Sequence, residues 1–212
     1  MSKKLLIWDF DGVIVDSFEI GFKVNLEEPV PAPTREDYRS LFMGNVYDHD
    51  VVKQSISKTG GSDTAFMDRY LAEMINLEPL PGMKELVTDL ASSGVIQAIA
   101  SSTRTSNIEY FLSVHGMRDL FNDVLGSDVE RSKVKKFKML SEKYSMPLTE
   151  ALFVTDTLGD LKEAEHVEMP AIAVSWGFHL NEHLEQGKSI ALVHTVNKLK
   201  EAIEQKLFEV NP

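Results

Sequence analysis

The stretch Leu5-Leu6-Ile7-Trp8-Asp9-Phe10-Asp11-Gly12 carries two aspartates directly after the first apolar run of the chain. In an extended segment, Leu5 and Ile7 would lie on one face and Leu6 and Trp8 on the other, so both faces are apolar. A parallel strand that is covered by helices on both sides has this pattern. The stretch therefore predicts a central strand of a parallel sheet.

Asp9 and Asp11 would project to the same side at the carboxyl end of this strand, because residues i and i+2 share a face. Gly12 would then let the chain turn. Two like charges at the edge of an apolar layer are costly unless a cation lies between them or one keeps a proton. An isolated pair of this kind more often caps a loop, so other parts of the sequence must decide between the two interpretations.

The rest of the chain divides into a helical stretch and an alternating stretch. Helical patterns occur near 17–28, 35–43, 46–58 and 63–76, with no convincing strand among them. Strands are then predicted at 95–100, 123–126, 151–155 and 171–175, and helices between Pro81 and Gly94 and at 104–114, 133–145, 159–167 and 194–208. This order predicts an α/β fold, a Rossmann-like parallel sheet flanked by helices, with a small α-helical cap inserted after the first strand. The predicted domains are a core of residues 1–16 and 81–212 and a cap of residues 17–80.

Composition excludes several classes of function. The chain has 212 residues, is 43% apolar and 26% charged, and has a net charge of -11. Such a surface repels phosphate backbones, so we expect neither nucleic acid nor an anionic membrane as a partner. The absence of cysteine excludes a disulfide scaffold and a zinc-thiolate site. With no apolar leader or membrane-length span in the sequence, a soluble cytoplasmic protein is expected, and the oligomeric state is left open.

Polar residues also follow the other predicted strands. Ser101 and Ser102 come after the strand at 95–100, and Asp156 and Asp160 come after the strand at 151–155. Lys133 opens the helix between these two points. Ligands of open parallel sheets gather at the carboxyl ends of the strands. Carboxylates, hydroxyls and one ammonium group are therefore expected to meet at a single site.

This set of groups suits phosphoryl transfer. Asp9, Asp156 and Asp160 could together hold a hard divalent cation, and Mg²⁺ suits a few carboxylates completed by waters and a phosphate oxygen. Ser101, backbone N–H groups and Lys133 would bind the remaining phosphate oxygens. The sequence thus predicts a magnesium-dependent enzyme that acts on a small phosphorylated substrate.

The chain resembles the haloacid dehalogenase-like (HAD) hydrolase superfamily over most of its length. Its motifs stand in the order found in that superfamily, namely Asp9-Phe10-Asp11-Gly12, Ser101, Lys133 and Asp156 to Asp160. The segments Pro81-Gly82-Met83 and Val174-Ser175-Trp176-Gly177 are similar to those of its capped phosphoglycolate phosphatase and β-phosphoglucomutase group. The details of the helical insert lie outside this resemblance.

The resemblance implies a role for each matching residue. Asp9 is the nucleophile that forms an aspartyl-phosphate, and Asp11 protonates the leaving oxygen and then activates water. Magnesium is held by Asp9, Asp156, Asp160 and the backbone carbonyl of Asp11. The phosphate is bound by Ser101, Ser102 and Lys133.

The chain departs from the family pattern at two positions. Thr155 stands where glycine is usual, and Val134 follows Lys133 where proline is common. The second departure leaves Lys135 and Lys136 as less favoured candidates for the role of Lys133.

Several functions remain open on the sequence alone. The resemblance implies a phosphatase that acts on a small phosphorylated metabolite similar to phosphoglycolate or a sugar phosphate, and a phosphomutase of the same group is the alternative. A phosphate-receiver module and a binding protein without turnover are less favoured, because the chain has an inserted cap and every expected reacting group. If the cap acts as a lid, a second set of polar residues could reach the substrate, namely Arg35, Arg39, Asn45 and Tyr47.

Overall fold

The computed structural model describes residues 4–208 and contains six strands. They are β1 (Leu5–Trp8), β2 (Ile96–Ala100), β3 (Asp123–Leu125), β4 (Leu152–Thr155), β5 (Ala171–Val174) and β6 (Ala191–Val193). All pair in parallel to form one sheet of order β3-β2-β1-β4-β5-β6. β1 lies in the interior of the sheet between β2 and β4, and its four residues are buried, which confirms the predicted central strand.

Ten α-helices accompany the sheet within residues 4–208. They are α1 (Phe18–Asn25), α2 (Arg35–Ser40), α3 (Asp50–Lys58), α4 (Thr64–Met74), α5 (Met83–Ser92), α6 (Thr105–Val114), α7 (Lys133–Tyr144), α8 (Leu158–His166), α9 (Asn181–Leu184) and α10 (Val196–Phe208). Leu6 and Trp8 of β1 share a buried cluster with residues of α5, α6 and α10. Leu5 and Ile7 share another with residues of α7 and α8. Helices therefore cover both faces of the sheet, as the alternating sequence pattern predicts.

Helices α1 to α4 lie between β1 and the helix that leads to β2, in the segment predicted to be an inserted cap. Part of this insert has its own apolar cluster, which includes Phe18, Phe22 and Tyr38 together with Phe178 of the α/β part. Its last helix instead packs into the main core, because Tyr70 and Met74 belong to the same cluster as β1. The division at 16/17 and 80/81 stays a prediction.

The structure differs from the sequence prediction in a few elements. β6 and α9 were not predicted, because segments of three and four residues are too short to show a period. The predicted helix 46–58 is interrupted, since His49 has an extended backbone and caps α3 after a 3-10 turn at Val46–Asp48. Within residues 4–208, the structure has no helix of the length and apolarity that crossing a membrane requires.

Candidate active site

Asp9 follows the last residue of β1 and continues the pairing of the sheet, since its N–H donates to the carbonyl of Val154 at 2.9 Å. The residue is buried, with 6% of its surface exposed. Oδ1 accepts a hydrogen bond from the N–H of Phe10 at 2.8 Å, and Oδ2 lies 2.7 Å from Nζ of Lys133. Burial raises the pKa of Asp9 well above its ordinary value, although the charge of Lys133 opposes this. Positive charge in addition to that of Lys133 would therefore favour the ionised form of Asp9.

Lys133 is the first residue of α7, which Ser132 caps through its side chain. Its ammonium group is buried between two carboxylates, 2.7 Å from Asp9 Oδ2 and 2.5 Å from Asp160 Oδ2. Burial alone would lower the pKa of Lys133, but the charges of Asp160 and Asp9 outweigh it and raise the pKa above its usual value. Lys133 is therefore a charged group at the centre of the site.

Asp156 and Asp160 lie where β4 passes into α8. Asp160 accepts a hydrogen bond from the hydroxyl of Thr155 at 2.7 Å, so this threonine supports an acidic side chain of the site. Burial would raise the pKa of Asp160, but Lys133 and these hydrogen bonds hold it below its ordinary value. Burial raises the pKa of Asp156 to about 7. The N–H of Phe178, which donates to Oδ2 of Asp156 at 2.6 Å, acts in the opposite direction and lowers this pKa.

The carboxylates of Asp9, Asp156 and Asp160 can be compared with the ligands that a magnesium ion requires. Within residues 4–208, no three His, Asp or Glu side chains form a ready-made metal centre. Oδ1 of Asp156, however, is a buried carboxylate oxygen without a hydrogen-bond partner among the described residues. Such an oxygen is costly to bury unless a cation or water satisfies it. The oxygen-only donors Asp9, Asp156 and Asp160 are of the type that Mg²⁺ prefers, so the residues present fit this ion.

Asp11 lies two residues after Asp9 and is surrounded by hydroxyl groups. Oδ1 accepts from the hydroxyl of Ser17 at 2.9 Å and from that of Tyr70, and Oδ2 accepts from Thr103 Oγ1 at 2.7 Å. Three donors from separate parts of the chain thus fix the orientation of this carboxylate. Ser17 and Tyr70, the latter on α4, both lie within residues 17–80, so two of these donors come from the insert.

Gly12 makes the turn after Asp11 possible. Its φ is +70°, and a Cβ at this position would lie 2.0 Å from Oδ2 of Asp156. Any side chain would therefore be strained by the backbone and would displace Asp156. This explains why glycine follows the aspartate pair.

Ser101 and Ser102 lie directly after β2, next to Asp11. The hydroxyl of Ser101 accepts from the N–H of Thr103 at 3.0 Å and lies 3.4 Å from Asp11 Oδ2. The carbonyl of Ser102 accepts from the hydroxyl of Tyr47 at 2.9 Å. Both serines line the same cavity as Asp9, Asp11 and Lys133.

The two other lysine candidates have different surroundings. Lys135 is exposed and pairs with Glu130 at 3.2 Å. Lys136 is fully buried and donates to the carbonyl of Ser101, and burial together with the charge of Lys133 lowers its pKa to about 8. Of the three, Lys133 is the lysine that contacts Asp9 and Asp160.

A cavity of about 1090 Å³, its open mouth included, lies between the insert and the carboxyl end of the sheet. Of the insert residues proposed to reach a substrate, Asn45 and Tyr47 line it. Arg39 instead donates to the carbonyl of Phe178 at 2.9 Å, and Arg35 pairs with Glu19 at 2.7 Å. The insert is thus docked on the α/β part in this structure.

The structure brings the sequence-predicted residues together at this cavity. Six of them line it, namely Asp9, Asp11, Ser101, Ser102, Lys133 and Asp160. The seventh, Asp156, lies beside Gly12 and Asp160. Sequence reasoning missed Ser17, Tyr70, Thr103 and Thr155. Thr103 could have been suspected from its position in the run Ser101-Ser102-Thr103. Nothing in the local sequence indicated the long-range contact of Tyr70.

Known proteins resemble this chain in sequence and in fold. A profile of the family described as haloacid dehalogenase-like hydrolase matches residues 6–174. A phosphoglycolate phosphatase of Synechococcus elongatus is 25% identical over 94% of this chain and 97% of its own length, and one of Vibrio parahaemolyticus is 25% identical over 94% and 96%. A haloacid dehalogenase-like hydrolase from Streptococcus pneumoniae has the same fold, with a TM-score of 0.76 at 19% identity over 95% of this chain and 98% of that one.

Proposed function

This chain belongs to the haloacid dehalogenase-like hydrolase family, and on that premise we propose that it is a magnesium-dependent phosphatase that hydrolyses a small phosphate monoester through an aspartyl-phosphate. The observation that carries the proposal is the meeting of Asp9, Asp11 and Lys133 on one cavity at the end of the central strand. The relatives that are named phosphoglycolate phosphatases support the reaction class.

In the proposed mechanism, Asp9 attacks the phosphorus atom and the bond to the ester oxygen breaks. Asp11 gives its proton to that oxygen as the alcohol leaves. Asp11 then takes a proton from a water molecule, which attacks the phosphoryl group and releases phosphate and free Asp9. Ser17, Thr103 and Tyr70 hold the side chain of Asp11 in one orientation for both proton transfers.

Lys133, Ser101 and Ser102 bind the phosphate oxygens in this proposal. A bound Mg²⁺, held by Asp9, Asp156, Asp160 and the backbone carbonyl of Asp11, would supply positive charge that offsets the negative charge of the phosphoryl group. The ammonium group of Lys133 supplies further positive charge, and its contact with Asp9 holds the nucleophile in place. The contact of Lys133 with Asp9 and the position of both serines on the cavity support these proposed assignments.

We further propose that the insert, residues 17–80, acts as a cap over the reaction. Asn45 donates to Glu163 and to the carbonyl of Arg131, and the N–H of Gly159 donates to the carbonyl of Phe42 at 2.9 Å. Contacts of this kind would exclude water while the ester is bound. A cytoplasmic location stays a prediction from the sequence.

Release of phosphate from simple phosphate monoesters tests the proposal. We expect turnover with Mg²⁺, loss of turnover with a chelator, and a fall of about 10³-fold or more in kcat for Asp9→Asn. Asp16→Asn makes the same change at an exposed aspartate seven positions later and should retain activity. Isomerised ester in place of free phosphate would favour the phosphomutase. Equal activity of Asp9→Asn and the wild type would contradict the mechanism.

A further inference from the structure

We infer that the ester hydrolysed at this site has an apolar leaving group without a second negative charge. The inference rests on the proposed phosphatase function and specifies its substrate class. It follows from the cavity wall beyond Asp9 and Asp11, where the part of the substrate that is not phosphate must lie.

That wall is largely apolar and comes from the insert. Six of its apolar residues are only partly buried, so they keep apolar surface that a substrate could cover. These residues are Phe42, Val46, Val51, Val52, Ile56 and Phe66. Covering such surface favours binding by about fourfold for each methylene group that leaves water.

Two polar side chains of the wall, those of Asn25 and Ser55, already have partners. Asn25 exchanges two hydrogen bonds with the backbone of Ala32, at 2.7 and 3.0 Å. Ser55 does the same with the backbone of Val30, at 3.0 Å in both directions. A sugar with several hydroxyl groups would therefore lose hydrogen bonds to water and meet groups that are already satisfied.

The charges on the wall disfavour a second anionic group. Within the described residues, Lys133 is the one lysine or arginine that lines the cavity, and Asp9 and Asp160 already flank it. Beyond the catalytic acids, the other charged residues on the lining are acids, Glu28, Asp63 and Glu163.

Each of these acids already has a partner within the protein. Glu28 pairs with Arg69, and Glu163 accepts from Asn45 and from the N–H of Lys133. Arg131, close to the lining, lies over the ring of Tyr47 and 3.6 Å from Asp63. A substrate carboxylate would thus lose its water without gaining a cation. Phosphoglycolate carries such a carboxylate, so it should be a poor substrate.

The test compares phosphate esters of primary alcohols, so that their leaving groups have similar chemistry. The purified full chain with Mg²⁺ would be assayed with hexyl phosphate, phosphoglycolate, glycerol 3-phosphate and glucose 6-phosphate. We expect kcat/KM for hexyl phosphate to exceed the others by about tenfold or more, and to rise along the series from methyl to hexyl by up to about fourfold per methylene. A kcat/KM for phosphoglycolate or a sugar phosphate that equals or exceeds that of hexyl phosphate would overturn the inference.

A charge placed on the wall provides a second test. Ile56 lines the cavity but belongs to none of the buried clusters, so Ile56→Lys should fold. We expect this variant to lower kcat/KM for hexyl phosphate and to raise it for phosphoglycolate. Gln54→Lys adds the same charge at an exposed position of α3 and should leave both values unchanged. Equal effects of the two variants would contradict the assignment of the wall.

Binding separates the failure of this inference from the failure of the proposed function. Calorimetry on Asp9→Asn would measure the affinity for hexyl phosphate and phosphoglycolate without turnover. If no ester is hydrolysed by the wild type, the proposed function fails, and the affinities still decide the substrate class. Tighter binding of hexyl phosphate supports the inference, and equal or weaker binding overturns it.

Discussion

The hydroxyl of Tyr70, on helix α4 of the insert, donates a hydrogen bond to Oδ1 of Asp11, which lies 59 positions earlier in the chain. Burial raises the pKa of Tyr70 well above its ordinary value, so the hydroxyl stays a donor at every pH at which the protein would be assayed. The insert therefore contributes directly to the orientation of the proposed acid and base.

Tyr70→Phe removes that contact and retains the aromatic ring. We expect kcat to fall by about tenfold while KM changes by less than about twofold, because the hydroxyl positions a group that acts in the transition state. Steady-state kinetics with hexyl phosphate measures both constants. Tyr38→Phe is the matched control, since its ring lines the same cavity and no hydrogen bond in the described structure joins it to Asp11. A higher KM with unchanged kcat would show that Tyr70 only lines the binding space.

Asp156→Asn should abolish stabilisation of the protein by magnesium. The wild type should gain about 2.7 kcal/mol in the free energy of unfolding at a Mg²⁺ concentration 100 times its Kd, because the ion binds the folded state. An asparagine can still accept the hydrogen bond from Phe178 but lacks the charge of the unpaired oxygen. Urea unfolding with and without Mg²⁺ gives this difference for the variant, the wild type and Asp16→Asn. A gain in Asp156→Asn equal to that of the wild type would argue against this residue as a ligand.

Lys133→Met should destabilise the protein in the presence of a chelator. The substitution leaves the carboxylates of Asp9 and Asp160 buried without their shared cation, which costs about 3 kcal/mol. Lys135→Met, on the same helix but exposed, should change the free energy of unfolding by less than about 0.5 kcal/mol. Urea unfolding of both variants checks the difference. Similar losses in the two proteins would mean that Lys133 does not act as the central counter-charge.

His179 predicts an acid-dependent loss of stability. Burial lowers its pKa below the ordinary value of 6.5, and its neutral ring accepts from the N–H of Leu158 and contacts the carbonyl of Arg39 in the insert. Below pH 6.5, this histidine binds a proton in the unfolded chain but stays neutral in the folded protein. The free energy of unfolding therefore falls as pH falls, by up to about 1.4 kcal/mol per pH unit.

The measurement is urea unfolding at about pH 7.5 and about pH 5.5, where free histidine changes its charge. In His179→Asn the side-chain oxygen can still accept from Leu158, so the variant should fold and should lose less stability between the two pH values than the wild type. An identical loss in both proteins would assign the acid dependence to other groups.

The strand ends explain why much of the fold and the position of the site could be predicted. The carboxyl ends of β1, β2 and β4 meet at one edge of the sheet, so the residues that follow these strands had to be neighbours. Asp9, Ser101 and Asp160 lie where the sheet's topology requires. Their roles in the reaction stay predictions until they are measured.

Contacts that depend on the insert could not be predicted in the same way. Tyr70 reaches Asp11 only because α4 packs into the main core, and no period in the sequence encodes that packing. Arg39 was expected to reach a substrate, yet its guanidinium group bonds the carbonyl of Phe178 and lies over the ring of Phe18. Helix patterns give the insert's elements, whereas their docking depends on side-chain shape.

The most direct test of the central claim is to look for a phosphoryl group on Asp9. The protein would be mixed with Mg²⁺ and hexyl phosphate or phosphoglycolate, quenched in acid during turnover, digested and analysed by mass spectrometry. The proposed mechanism predicts that the peptide containing Asp9 gains the mass of one phosphoryl group, that fragmentation assigns it to Asp9, and that Asp9→Asn shows none. Turnover without such a group, or a phosphoryl group on Asp11 or another residue, would contradict it.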